Sequence, residues 1–111
     1  MGLVVLVGLA FGRVLTADFM IYDDWEYVVT NDMVRRGLTP ESFTWAWQAF
    51  HSSNWHPLTW LSHMVDVQLY GLQPAGHHAT NLILHALNTV LLLTLLRRLT
   101  GSLWRSALVA A

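Results

Sequence analysis

Residues 79–99 form an apolar segment that constrains the fold more than any other part of the chain. The segment carries no charge until Arg97 and, at about 1.5 Å per helical residue, reaches across the roughly 30 Å hydrocarbon core of a bilayer. Only 12% of the whole chain is charged, about half the share usual for soluble domains. Its six tryptophans favour a membrane–water interface. We therefore predict an all-α membrane protein.

Polar residues recur inside this apolar segment at helical spacing. Asn81, His85 and Asn88 stand at positions i, i+4 and i+7, and His77 or His78 extends the same stripe by one turn. Polar residues within a span usually face a bundle interior or a water-filled cavity. We predict a polar seam on this helix, used either for a site or for hydrogen bonding to another helix.

Two further apolar segments lie at the two ends of the chain. Residues 1–17 are apolar apart from Arg13 and Thr16, and are marginal in length for a span. A secretory signal is a poorer interpretation, because no basic residue precedes the run and no Ala-x-Ala site follows it. Residues 103–111 resemble the start of a third span. We expect two to three transmembrane helices, the outer two incomplete, in a fragment of a larger multi-spanning protein.

Arginine placement predicts the orientation. Arg97, Arg98 and Arg105 flank the short loop 100–104, which the positive-inside tendency assigns to the cytoplasm. The long loop 18–78 is then periplasmic or lumenal.

Two short amphipathic helices are predicted in loop 18–78. The first, 40–51, has Thr39 as its cap and Pro40 at its first position, and carries an aromatic face for a membrane interface or a core. The second, 57–70, begins at a proline and stops at Gly71.

Loop 18–78 opens with five acidic residues within fifteen positions, among them the pair Asp23-Asp24. Adjacent carboxylates repel, so the pKa of one tends to rise unless a cation or donor is near. Such a pair suits a general base or a divalent-cation ligand. A solvated acidic loop is the alternative.

Histidines concentrate around the same loop. His63 and Asp66 are three residues apart on the predicted helix 57–70, so they can orient each other or share a ligand. His56 lies seven residues before His63, on the same face by helical spacing. No His-x-x-x-His pair occurs, so the metal signal is weak, and each histidine taken alone is more often structural. Cysteine is absent, which excludes thiolate ligands, and no basic patch points to nucleic acid.

Several motifs follow one another in an order that resembles a known family. They are Tyr22-Asp23-Asp24, the stretch 54–64 (NWHPLTWLSHM), 71–78 (GLQPAGHH), 81–88 (NLILHALN) and 96–101 (LRRLTG). Together they resemble the N-terminal membrane part of the transmembrane and tetratricopeptide-repeat proteins. These are relatives of the protein O-mannosyltransferases and have the GT-C membrane glycosyltransferase fold. The resemblance covers nearly the whole chain from about residue 18, and its specificity comes from the combination of motifs.

The resemblance implies transfer of a sugar from a polyprenyl- or dolichyl-phosphate donor to a protein Ser/Thr hydroxyl or a glycan on the outer face of the membrane. In that fold an acidic motif just after the first span is essential, and Asp23 and Asp24 stand at that place as the expected catalytic residues. The expected substrate-binding residues are His56, His63, Asp66, His77 and His78. The repeats and most of the spans that build the donor cavity are missing, so the remaining spans of a full-length protein are expected partners. Participation of a divalent cation is left open.

Two other functions compete with this hypothesis. A non-catalytic membrane module would anchor or assemble a larger complex through the polar seam of Asn81, His85 and Asn88. A histidine-rich metal or haem site is the third hypothesis, although only His85 lies deep within a predicted span.

Overall fold

The computed structural model describes residues 2–51 and 53–111. All of the regular secondary structure in these residues is helical. The predicted all-α class is confirmed. The α-helices are α1 (Gly2–Phe11), α2 (Asp32–Arg35), α3 (Pro40–Gln48), α4 (Pro57–Tyr70), α5 (Pro74–Thr100) and α6 (Leu103–Ala110). A 3₁₀ helix, Gly12–Thr16, continues α1, and a π-helical turn, Trp25–Val29, precedes α2.

The described chain forms two compact units. Residues 17–77 make up the first, called the loop unit below. Residues up to Thr16 and from His78 onward make up the second, called the apolar unit. The boundary therefore falls within α5, whose first turn belongs to the loop unit.

Helix α5 is long and apolar enough to cross a membrane, the only such helix in the described residues. Its 27 residues extend about 40 Å, beyond the roughly 30 Å of a hydrocarbon core. Only 6% of its most apolar window is buried, unlike the core helix of a soluble protein. The other apolar elements are shorter: Gly2–Thr16 falls below the length of a span, and α6 has eight residues.

The start of α5 corrects one predicted boundary. The sequence predicts a loop up to residue 78 and a helix from residue 79, but the helix already begins at Pro74. Proline is well tolerated in the first helical turn, because its missing N–H would have no intrahelical partner there. His77 and His78 are consequently helical residues rather than loop residues.

The loop unit contains both predicted amphipathic helices. Helix α4 has the predicted bounds, and Gly71 ends it with a positive φ of 63° while its N–H donates to Val67 O. Helix α3 begins as predicted, with Thr39 and Ser42 forming a reciprocal cap. It ends at Gln48 instead of residue 51, because Ala49 turns to extended backbone and His51 pairs with Asn54.

Two further elements of the loop unit have no counterpart in the prediction. The π-helical turn places the Thr30 N–H on Trp25 O, and the four-residue α2 is capped by Asn31, whose side chain accepts from the amides of Met33 and Val34. Both are too short to give a hydrophobic period.

Helix α4 is the centre of the loop unit's core. Trp60 and Met64 are fully buried and pack with Val28, Val34 and Ala46. Tyr27 stacks on Trp60 at 4.8 Å between ring centroids, and Trp45 meets it edge-on at 5.2 Å. The opposite side of α3 exposes its aromatic face of Phe43 and Trp47, which therefore does not contribute to this core.

Candidate functional site

A cluster of two histidines and one aspartate forms the candidate site. His63 and Asp66 lie one turn apart on α4, and His77 lies in the first turn of α5. One ligand atom of each side chain lies within 4.8 Å of the other two, and His77 Nδ1 is 3.8 Å from Asp66 Oδ2. The sequence predicted His63 and Asp66 to act together, and the structure adds His77 from a separate helix.

A hydrogen bond fixes the orientation of His77. Its Nε2 lies 3.0 Å from Gly71 O, and because a carbonyl oxygen can only accept, Nε2 carries the proton. Nδ1 then faces Asp66 and has no hydrogen-bond partner among the described residues. The His77 side chain is 3% exposed, so water does not reach this nitrogen freely. The Phe19 ring packs edge-on against the imidazole at 5.3 Å.

Two glycines allow the tight corner between α4 and α5 that brings His77 close to α4. Gly71 has a φ of 63°, a conformation that other residues rarely adopt, and it turns its carbonyl towards His77. A Cβ on Gly76 would overlap the ring of Tyr70, so only glycine lets the first turn of α5 approach the end of α4 so closely. Sequence reasoning used Gly71 as a helix stop and attached no role to Gly76.

His63 completes the cluster as a neutral imidazole. Burial, and next the neighbouring His77, lower the pKa of His63 below its ordinary value of 6.5, while the carboxylates of Asp66 and Asp24 act in the opposite direction. Its Nδ1 is buried without a hydrogen-bond partner in the described chain. A neutral, desolvated imidazole offers a lone pair for a cation or for a donor group.

The structure distinguishes between the two acids of the Asp23-Asp24 pair. Asp24 is half-buried, its Oδ2 accepts from Met20 N at 3.0 Å, and its charge acts on His63. Asp23 is exposed. Of the two acids, Asp24 is therefore the one whose charge acts on the cluster.

His56 does not join this cluster. Its ring packs on Trp60 at 4.8 Å and on Tyr27 at 5.4 Å, so it belongs to the aromatic core. His51 also contacts Trp60, and its Nε2 lies 3.0 Å from Glu26 Oε1. Sequence reasoning missed this arrangement around Trp60, because it depends on residues far apart in the chain.

The predicted polar seam lies in the apolar unit, where it borders a cleft. His78, Asn81 and His85 line a cleft of about 260 Å³ together with three apolar residues, and His85 meets Phe11 edge-on at 5.1 Å. Asn88 is exposed and is not among the residues that line this cleft. The seam thus extends from His78 to His85 in this structure.

Comparisons of the chain with protein-family models, with curated proteins and with solved structures gave no match.

Proposed function

We propose that this chain is part of a multi-pass membrane glycosyltransferase of the GT-C type. It would transfer a sugar from a polyprenyl- or dolichyl-phosphate donor to a hydroxyl of a protein or glycan. The observation that carries the proposal is the position of Asp24, a half-buried carboxylate close enough to the His63–Asp66–His77 cluster for its charge to act on His63. The family resemblance of the motifs that contain these residues supplies the reaction class.

Asp24 suits the role of general base. In the transfer, the acceptor oxygen forms a bond to the anomeric carbon, the bond from that carbon to the phosphate oxygen breaks, and the acceptor proton leaves. A carboxylate within hydrogen-bond reach of the hydroxyl takes that proton. The N–H of Met20 holds one oxygen of Asp24, which orients the group.

The leaving phosphate needs positive charge or hydrogen-bond donors, because negative charge develops there. Within the loop unit, His63 is the candidate contact to the donor phosphate, since the Nε2–H of His77 already donates to Gly71 O. His56 is a weaker candidate than the sequence suggested, since its ring is engaged by Trp60 and Tyr27.

The proposed topology places the loop unit outside the cytoplasm. Helix α5 can cross the bilayer and ends with Arg97 and Arg98 in its last turn, which favours a cytoplasmic end. The segment Gly2–Thr16 and helix α6 would belong to further spans in this proposal. The exposed aromatics of α3, with Phe43 47% and Trp47 44% exposed, would contact the headgroup region.

The test compares Asp24→Asn with Asp23→Asn in the full-length protein. Membranes carrying each variant are incubated with a polyprenyl-phosphate sugar labelled in the sugar, and the label transferred to endogenous acceptors is measured. Loss of the general base should lower the rate of Asp24→Asn by about 10²–10⁴-fold. The exposed Asp23 should tolerate the change far better. Full activity of Asp24→Asn at equal protein level would refute the assignment.

The cleft at the seam favours a second candidate, a non-catalytic assembly module. His85 packs on Phe11, so part of the seam already serves contact between helices. If assembly is the function, Asn81→Leu and His85→Leu should dissociate the chain from its membrane complex on a native gel, whereas Asp24→Asn should leave the complex intact.

A further inference from the structure

We propose that His63, Asp66 and His77 bind one divalent transition-metal cation of the zinc type. This site would join the end of α4 to the start of α5, and it does not depend on the proposed sugar transfer.

The donor set selects the kind of cation. Two imidazole nitrogens and one carboxylate oxygen suit Zn²⁺ and its neighbours in the first transition row. Mg²⁺ and Ca²⁺ prefer shells made of oxygen ligands alone. Three protein ligands leave a fourth position, which water or another oxygen donor would fill.

The distances between the ligand atoms are close to those expected around a bound zinc ion. Two ligands of a tetrahedral Zn²⁺ at about 2.1 Å are about 3.4 Å apart. His77 Nδ1 and Asp66 Oδ2 are 3.8 Å apart, and no pair in the cluster exceeds 4.8 Å. Side-chain rotations that bring the most distant pair together by up to about 1.4 Å would complete the site.

The surroundings of His77 match those of a metal ligand. Metal-binding histidines usually donate their second ring N–H to a carboxylate or a backbone carbonyl, which fixes the tautomer. His77 Nε2 donates to Gly71 O in this way, and its Nδ1 points into the cluster without a partner in the described chain. The carbonyl depends on the left-handed backbone of Gly71, so the orientation is specified by the chain itself.

A direct bond between His77 and Asp66 explains the arrangement less well. Their separation of 3.8 Å is too long for a hydrogen bond. With Nε2 donating to Gly71 O, Nδ1 is the ring nitrogen of His77 that faces a carboxylate that is 5% exposed. Two imidazole nitrogens without hydrogen-bond partners in the described chain converge there with a carboxylate, a set that is complementary to a cation.

The experiment measures metal binding by the full chain purified in detergent. The protein is stripped with a chelator, then titrated with Zn²⁺ by calorimetry and with Co²⁺ by visible absorption. One equivalent of Zn²⁺ should bind, and Co²⁺ should give the intense visible bands of a tetrahedral site. X-ray absorption of the zinc form should show two imidazoles in the first shell.

Variants identify the ligands. His63→Gln, Asp66→Asn and His77→Ala should each weaken Zn²⁺ binding by more than about 100-fold, beyond the loss expected from removing an outer-shell partner. His51→Gln is the matched histidine control, because it is half-buried and also faces an acid. The exposed Asp32→Asn is the matched carboxylate control. Both controls should bind as the parent chain does.

Several results would overturn the proposal. The parent chain could fail to bind Zn²⁺ at micromolar concentration, or bind it without imidazole ligands in the absorption spectrum. Undiminished binding by His63→Gln, whose side chain is the least buried of the three, would also refute it. The spectrum of the parent chain decides the matter even if the buried variants fail to fold. Because binding is read without any sugar donor, its failure is distinguishable from failure of the transferase proposal.

Discussion

The loop unit has a buried apolar core, whereas the apolar side chains of helix α5 are mostly exposed. Trp60 and Met64 of the loop unit are 0% exposed, whereas Leu91 and Leu99 of α5 are 66% and 72% exposed. Apolar surface contributes to stability when it is removed from water. The loop unit buries part of its apolar surface in its own core, whereas α5 is long and apolar enough to bury its surface in a bilayer.

The two regions also differ in the burial of their polar side chains. The loop unit buries Asp66 and His77 within a protein core, where each polar atom needs a partner or a cation. On α5, Asn81 and His85 are exposed at the side of a cleft. A site in the loop unit can thus be complete within residues 17–77, whereas the seam leaves Asn81 and His85 exposed.

The largest effect is expected from a substitution in the core of the loop unit. Trp60→Ala should destabilise that unit by about 3–5 kcal/mol, because it removes the ring on which Tyr27, Trp45 and two histidines pack. Hydrogen exchange of the full chain in detergent should accelerate across residues 17–77 and stay unchanged in residues 84–99.

The control for this change is Leu69→Ala on the same helix. Leu69 is 66% exposed, so its truncation should cost no more than about 0.5 kcal/mol. If Trp60→Ala accelerated hydrogen exchange in α5 as much as in the loop unit, the stability of α5 would depend on the core of the loop unit. The comparison between the two regions would then fail.

A smaller effect should come from a charge within α5. Leu91→Arg should disfavour insertion by about 2.5–3.5 kcal/mol, because it places a guanidinium near the centre of the apolar segment. Protease protection of a C-terminal tag on the full chain in membranes measures the inserted fraction. Leu99→Arg is the matched control, since Leu99 is similarly exposed but lies beside Arg97 and Arg98. Identical insertion of both variants would contradict a spanning role for α5.

The sequence predicted the class of fold and the parts of the site that depend on local patterns. Pro57 and Gly71 bounded α4 correctly, and the spacing of His63 and Asp66 placed both on one side of that helix. The apolar segment 79–99 correctly identified the helix able to span. In each case a helical period or a terminal residue carries the information within a few turns.

The remaining features depend on tertiary contacts that no local pattern reveals. His77 reaches Asp66 only because Gly71 and Gly76 allow a tight corner between α4 and α5. His56 is drawn to Trp60 by ring packing, although its spacing from His63 suggested a shared face. Asp23 and Asp24 are equivalent in sequence, and only the turn around Met20 distinguishes the half-buried carboxylate from the exposed one.

The smallest expected effect tests where tight packing ends along α5. Gly76→Ala should destabilise the corner by about 1–3 kcal/mol, because its Cβ would overlap the Tyr70 ring. Thermal unfolding of the full chain, with hydrogen exchange across residues 57–77, measures the cost. Gly8→Ala in α1 is the matched control, since a Cβ there meets nothing within 4 Å and alanine favours a helix.

A double-mutant cycle decides whether steric overlap is the cause of that cost. If the ring and the new methyl group collide, Gly76→Ala should cost much less in a Tyr70→Ala background than in the parent chain. Additive effects would instead mean that Gly76 has room for a methyl group. That result would contradict the close approach of the first turn of α5 to Tyr70. Because His77 directly follows Gly76, the same single variant should also weaken the contact of His77 with Gly71 O, so the corner's packing and the orientation of the candidate ligand should fail together.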